Sequence, residues 1–385
     1  MRGAFEGIFE GMTVLVTGHT GFKGAWLSLW LQELGAKTVG YSLPPPTNPS
    51  HFAAARIADG MVDICGDIRD YAALQHTLQT YKPEVIFHLA AQPIVLDSFE
   101  NPKETFDINV GGTVNLLEAA RHSHSVKAVV MITSDKCYEN KEWLWGYREN
   151  DTLGGYDPYS ASKSMAEQAI VSYRKSLFEK NGHQAAVASV RAGNVIGGGD
   201  FSPHRIVPDC MKALMTQQPI KVRNPKSVRP WLNVLDPLSG YLWLAACLLK
   251  EKQKFADAWN FGPLEQRGID VQTLVEKAIE LWGEGSWIHS GQNPAKPEMG
   301  LLRLNWDKAS HCLGWHPTYT WNEALQETVD WFKAFQDYQR SPSTFDLREI
   351  STRHIFEYTN QAELSNVPWT CSDSKILTSN PTCYL

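Results

Sequence analysis

The sequence predicts an α/β fold: a doubly wound parallel sheet with a smaller C-terminal lobe. Three observations carry that prediction. Short apolar runs alternate with amphipathic stretches through the first half of the 385 residues. A glycine-spaced turn closes the first of those runs, and beyond about residue 193 the rhythm gives way to shorter pieces jointed by proline. Such alternation builds βαβ units, whose sheet is covered on both faces and offers its ligand sites at the carboxyl ends of the strands.

Residues 13–16, 38–43, 61–65, 85–90, 126–133 and 185–190 read as strands, with helical patterns between them. Residues 1–193 are expected to form the sheet domain, rejoined by parts of 230–265, because 234–249 patterns as a helix and 257–261 as a strand. Residues 194–340 suit a lobe that covers the strand ends, with joints at Pro203, Pro208, Pro219, Pro225, Pro230, Pro237 and Pro263. From about 341 to 385 the composition turns to Ser, Thr and Asn with weak periodicity, which predicts an appendage or partly mobile tail.

With 43% apolar residues and 11% aromatics the chain can bury a large core. A net charge of -6 leaves no global basic field for nucleic acid, so any phosphate recognition must be local. The 7 cysteines are scattered without the close pairs of a zinc site or a disulfide framework, which points to a reducing compartment. His88, His122, His124 and His311 lack metal-ligand company, and no metal site is expected. The first residues carry acids and no signal-like apolar run, and the apolar run near 241–249 is too short to span a bilayer, so a soluble cytoplasmic protein is expected.

The turn after the first strand holds Gly18, Gly21 and Gly24 at three-residue spacing, just where an apolar helix opens at Phe22. That pattern makes a phosphate cradle, since free amides and the helix dipole favour an anion. At the end of the second strand Ser42 stands where an acid for both ribose hydroxyls, or an arginine for a 2′-phosphate, is looked for; the missing arginine favours NAD. Asp67, after the third strand, is a candidate acceptor for an adenine amino group or, equally, a turn cap.

Three segments fall where such a sheet carries chemistry: His88-Leu89-Ala90-Ala91-Gln92, Thr133-Ser134-Asp135-Lys136 and Tyr159-Ser160-Ala161-Ser162-Lys163. Tyrosine and lysine four residues apart share a helix face, so the Lys163 ammonium is expected to favour the Tyr159 phenolate and make a base near neutral pH, with Ser134 hydrogen-bonding the same sugar hydroxyl. In the second half Arg191, Asn194, His204, Arg205, Arg229 and Trp231 offer cations, an amide and a stacking surface; arginine suits phosphate because its planar fork donates in pairs.

The glycine turn, Ala90-Ala91-Gln92, Asn109, the Ser134 segment and Tyr159-x-x-x-Lys163 together resemble the extended short-chain dehydrogenase/reductase family, across roughly residues 12–335. The resemblance implies a Rossmann-type domain binding NAD through Gly18, His19, Gly21, Phe22, Lys23, Gly24, Ser42, Asp67, Ile68, Leu89, Ala90, Ala91, Thr133, Tyr159 and Lys163. It implies a nucleotide-sugar substrate held by Gln92, Asn109, Asn194, Arg205, Arg229 and Glu298. Residues 18–24, 133–140, 191–200 and 228–231 are similar to the CDP-glucose 4,6-dehydratase branch of that family. Carried over from the related dTDP-glucose 4,6-dehydratases, whose matching pair is Asp-Glu, the resemblance implies that Asp135 is the acid that protonates the leaving C6 hydroxyl, while Lys136 removes the C5 proton or stabilises the enolate. The branch also implies CDP-glucose as substrate, a place in deoxysugar and O-antigen biosynthesis, and dimers or tetramers formed through helices at 101–122 and 158–178. Another nucleotide-sugar dehydratase, a 4-epimerase and a non-catalytic NAD-binding regulator are the competing readings.

Overall fold

In the computed structural model, which describes residues 3–180, 183–265, 268–291 and 301–371, the apolar runs assemble into one parallel sheet. Its strands are β1 (Thr13–Thr17), β2 (Lys37–Ser42), β3 (Val62–Cys65), β4 (Val85–His88), β5 (Ala128–Ile132), β6 (Ala186–Ala192) and a seventh at Ala258–Phe261. Across the sheet the order is Ala258–Phe261, β6, β5, β4, β1, β2, β3, with every neighbouring pair parallel. Every residue of β5 and β6 is buried, which is why their sequences AVVMI and AVASVRA do not alternate: both faces of a parallel sheet are covered.

The two faces have separate cores. On one, Val14 and Val16 pack with Trp26, Trp30 and Leu238; on the other, Leu15 packs with Leu74, Leu117 and Ile170. The Leu235–Glu251 helix is buried from Leu235 to Leu248, as expected for a helix that is apolar all round. Its following strand pairs with β6 from Ala258↔Ser189 to Phe261↔Ala192, so chain beyond residue 193 returns to the sheet. Short pairs over the strand ends, Asn194–Ile196 with Trp231–Asn233 and Val228–Arg229 with Ile269–Asp270, set Asn194 and Arg229 above the sheet edge. No described helix is long and apolar enough to cross a membrane.

The chain beyond residue 341 departs from the expected appendage. Leu347–Leu364 is a helix, capped by Asp346, that buries Leu347, Ile350, Ile355 and Tyr358. Its buried stripe also holds Ser351, His354 and Thr359, which hides the apolar period in the sequence. Two of these polar groups are accommodated by hydrogen bonds: Trp331 Nε1 donates to Ser351 Oγ at 3.0 Å, and Thr359 Oγ1 donates to the Ile355 carbonyl at 2.7 Å. Residues 372–385 lie outside the described residues.

Candidate active site

The strand order reverses between β1 and β4, and the crevice opened there holds the glycine turn. Gly18 has φ +74, and a Cβ on it would fall 2.7 Å from the Ala90 backbone nitrogen, so only glycine lets the ends of β1 and β4 meet. A Cβ on Gly24 would lie 2.1 Å from the Gly18 carbonyl oxygen, so the Phe22–Glu33 helix sits directly on the turn. The first-turn amides of that helix, which have no intrahelical acceptor, border a cavity of about 650 Å3.

Along this cavity lie all the residues expected to hold a dinucleotide except His19. His19 is fully buried, with its ring against Gly40 and Nε2 2.8 Å from Asp63 Oδ1. Its side chain braces β2 and β3 and does not line the cavity. At the far end Ser42 Oγ lies 2.9 Å from Thr20 Oγ1. Asp67 accepts the Arg69 backbone N–H at 2.9 Å and Nη2 at 2.6 Å, and this pairing holds its carboxyl below the usual range. The turn-capping role of Asp67 is thus realised while its side chain still borders the cavity. Arg69 also donates to Glu104 at 3.1 Å, so its guanidinium is already committed to two carboxylates.

Beyond β5, Ser134, Asp135 and Lys136 form a tight turn in which Ser134 Oγ donates to Asp135 Oδ1 at 2.9 Å and accepts the Lys136 N–H at 3.2 Å. Lys136 Nζ stands 3.9 Å from Asp135 Oδ1. The Pro158–Tyr173 helix begins at an Asp157 cap, whose Oδ1 accepts the Ser160 N–H at 2.9 Å, and it turns Tyr159 and Lys163 toward the same cavity. Lys163 Nζ is 5.9 Å from the Tyr159 ring centroid. Burial pushes the phenol up to about 12, with Asp135 adding to the rise and the Ser134 hydroxyl and Arg205 opposing it. Burial likewise brings Lys163 down to about 8. Burial thus works against the expected phenolate, while the Ser134 hydroxyl and Arg205 work for it.

Two expected substrate ligands are spent elsewhere. Asn109 is buried; its Oδ1 accepts the Gln92 N–H at 2.9 Å and its Nδ2 donates to the Gln92 carbonyl at 3.1 Å and Ser162 Oγ at 2.9 Å. Gln92 turns its own amide onto Ile94, donating to the carbonyl at 2.9 Å and accepting the N–H at 3.0 Å. Together they clamp the loop after β4 to the Tyr159 helix. Arg191 is no phosphate ligand either, being 1% exposed and paired with Glu167. Asn194, Arg205, Arg229, His204 and Trp231 do border the cavity; Arg205 pairs with Asp200 at 3.0 Å, and Arg229 Nη1 donates to the Val228 carbonyl at 2.9 Å. Glu298 lies outside the described residues. Sequence reasoning missed Thr20, Lys221, Arg223 and Asn224, which line the cavity too. The alternating cations of Lys221-Val222-Arg223 were the available signal.

A family model described as GDP-mannose 4,6 dehydratase matches residues 15–328. The chain belongs to this extended short-chain dehydrogenase/reductase family. Within the family it is 48% identical to the CDP-glucose 4,6-dehydratase of Salmonella typhimurium over 334 residues, 86% of this chain and 93% of that one. It is 25% identical to the CDP-paratose 2-epimerase of Salmonella typhi, across 83% of this chain and 99% of the relative. The fold matches a dTDP-glucose 4,6-dehydratase from Bacillus anthracis, solved in complex with NAD, at TM-score 0.71 and 22% identity, covering 85% of this chain and 98% of that one. In this family member the glycine turn, the Ser134 turn and the Tyr159 helix all open on one cavity, which is long enough in its lining to run from Ser42 to Arg229.

Proposed function

We propose that this chain is an NAD-dependent CDP-D-glucose 4,6-dehydratase, converting CDP-glucose into CDP-4-keto-6-deoxyglucose and water. The observation that carries the reading is the meeting of Ser134, Asp135, Lys136, Tyr159 and Lys163 on one cavity beside the glycine turn, in a chain 48% identical to a protein of that name. NAD suits the cradle because Gly18 and Gly24 leave no room for a Cβ and because Arg69, two residues after Asp67, is committed to Asp67 and Glu104. The redox chemistry, removal of the C4 hydride and its return to C6, is what bound NAD supplies.

The chain's own residues handle the protons. Tyr159, as the phenolate that the Ser134 hydroxyl and Arg205 favour, takes the proton of the C4 hydroxyl, with Lys163 as a further nearby cation. The C4 ketone so formed acidifies the C5 proton. Asp135, 3% exposed and hydrogen-bonded to Ser134, protonates the C6 hydroxyl as it leaves as water. Lys136 stands close enough to Asp135 to stabilise the enolate or to accept the C5 proton. Asn194, Arg205 and Arg229 hold the nucleotide diphosphate.

The same reading places the enzyme in the cytoplasm, supplying a deoxysugar for lipopolysaccharide, as a homodimer or tetramer. Exposed Met165 (50%) and Leu177 (37%), on and just after the Pro158–Tyr173 helix, support a subunit contact there. The purified chain, incubated with CDP-glucose and with its dTDP, UDP and GDP counterparts, is expected to give a 4-keto-6-deoxy product from CDP-glucose with C4 deuterium carried to C6. Absence of that product, or an epimer in its place, overturns the assignment.

A further inference from the structure

The turn that carries Asp135 is fastened at both ends. At its start the Thr133 N–H donates to the Val190 carbonyl at 2.9 Å, and Ser134 Oγ donates to Asp135 Oδ1 at 2.9 Å. At its end stands Tyr138, 1% exposed, whose N–H reaches the Asp135 carbonyl at 3.4 Å and whose side chain does not line the cavity. The Tyr138 hydroxyl accepts from Arg191 Nη1 at 2.6 Å and donates to Asn260 Oδ1 at 2.9 Å, so β6 and the Ala258–Phe261 strand hold it between them. The Arg191 guanidinium also lies over the ring, 4.9 Å from its centroid.

The helix of Tyr159 and Lys163 does not depend on that hydroxyl. Glu167 accepts from Arg191 Nε at 2.9 Å and Nη2 at 2.8 Å, and Asn109 Nδ2 donates to Ser162 Oγ at 2.9 Å. Arg191 Nη1 has a second acceptor in the Glu149 carbonyl at 3.0 Å. Removing the Tyr138 oxygen therefore leaves the helix anchored and loosens one end of the Asp135 turn.

We propose that Tyr138 is a positioning residue for the elimination step: its hydroxyl, gripped by Arg191 and Asn260, holds the Asp135 carboxyl where the C6 oxygen departs. This rests on the proposed function. In that step the C5 proton goes to the base that Lys136 provides or assists, and the C5–H electrons form the C5=C6 bond. The C6–O bond breaks, and Asp135 gives its proton to the oxygen, which leaves as water. Oxidation at C4 comes earlier and draws on Tyr159 and Ser134, away from the loosened end.

The test separates the two steps. The full chain, loaded with NAD, is mixed with CDP-glucose, and the absorbance of reduced nicotinamide is followed beside the 4-keto-6-deoxy product. In Tyr138→Phe product formation is expected to slow about 10- to 100-fold, the scale of a misplaced catalytic group. Reduced nicotinamide is expected to build up, because hydride cannot return to C6 before water is lost. Asp135→Asn, which lacks the acid, is expected to show the same build-up. Asn260→Ala frees the hydroxyl from its other side and stands in if thermal melts show Tyr138→Phe unfolded.

A merely structural Tyr138 would lower the melting temperature and leave the kinetics of the folded fraction alone. That result, or a folded variant that forms neither product nor reduced nicotinamide, overturns the Tyr138 proposal and leaves the dehydratase reading intact. If the parent chain gives no 4-keto-6-deoxy product, the dehydratase reading falls and this proposal falls with it.

Discussion

Arg191 donates to both oxygens of Glu167, from Nε at 2.9 Å and from Nη2 at 2.8 Å, and the pair is sealed from solvent. The hydroxyls of Thr133 and Ser189 donate to the same carboxylate, and Arg191 Nη1 donates to Tyr138 Oη at 2.6 Å. One charge pair therefore ties the helix of Tyr159 and Lys163 to the ends of β5 and β6. Arg191→Met strands the Glu167 carboxylate in the core, and a loss of about 3–5 kcal/mol is expected in urea unfolding. A change below about 1 kcal/mol, the scale of an exposed pair, would refute the buried-pair account.

Asn109 spends its amide on Gln92 and Ser162. Asn109→Ala should therefore act first on stability, costing about 1–3 kcal/mol for the polar groups left unpaired. Its KM for CDP-glucose, measured on the folded fraction, is expected to move little. A large rise in KM without loss of stability would return Asn109 to the substrate site.

Tyr159→Phe removes one oxygen from a buried position beside Ser134. Turnover of CDP-glucose is expected to fall by about 10²–10⁴-fold, the range for a positioned proton-transfer group, with the melting temperature nearly unchanged. Activity close to that of the parent chain would exclude Tyr159 as the C4 base.

Asp236 is fully buried, and burial pushes it up to about 7 although the Thr318 N–H at 2.7 Å and the Tyr358 hydroxyl at 2.9 Å both donate to it. A carboxyl raised in the folded state lends stability that is complete below its unfolded value of 3.8 and is lost as pH rises through about 7. Asp236→Asn has no proton to lose. Its melting temperature relative to the parent chain is therefore expected to climb from pH 4 to pH 8, and a flat difference across that window would contradict the raised carboxyl.

Much of the architecture was legible from pattern alone. Residues 128–132 and 186–192 form fully buried strands because apolar runs without alternation suit a sheet covered on both sides. Gly18 and Gly24 announce the cradle because no other residue fits there. The C-terminal helix was not legible: Ser351, His354 and Thr359 occupy its buried face, so its period in hydrophobicity is weak until the elements packed against it are known.

Strand rhythm, the glycine turn and the four-residue spacing of Tyr159 and Lys163 are properties of neighbouring residues, so they could be read along the chain. Which polar side chains face the cavity could not. His19 meets Asp63, Gln92 and Asn109 meet each other, and Arg191 meets Glu167. Each of these partners lies at least 17 residues away, as in Gln92 with Asn109. A hydrogen bond to such a partner satisfies a group that would otherwise have been free for a ligand, and burial moves the protons of Tyr159 and Lys163 away from their ordinary values. Both effects arise from packing between distant segments, and a linear pattern carries no record of them.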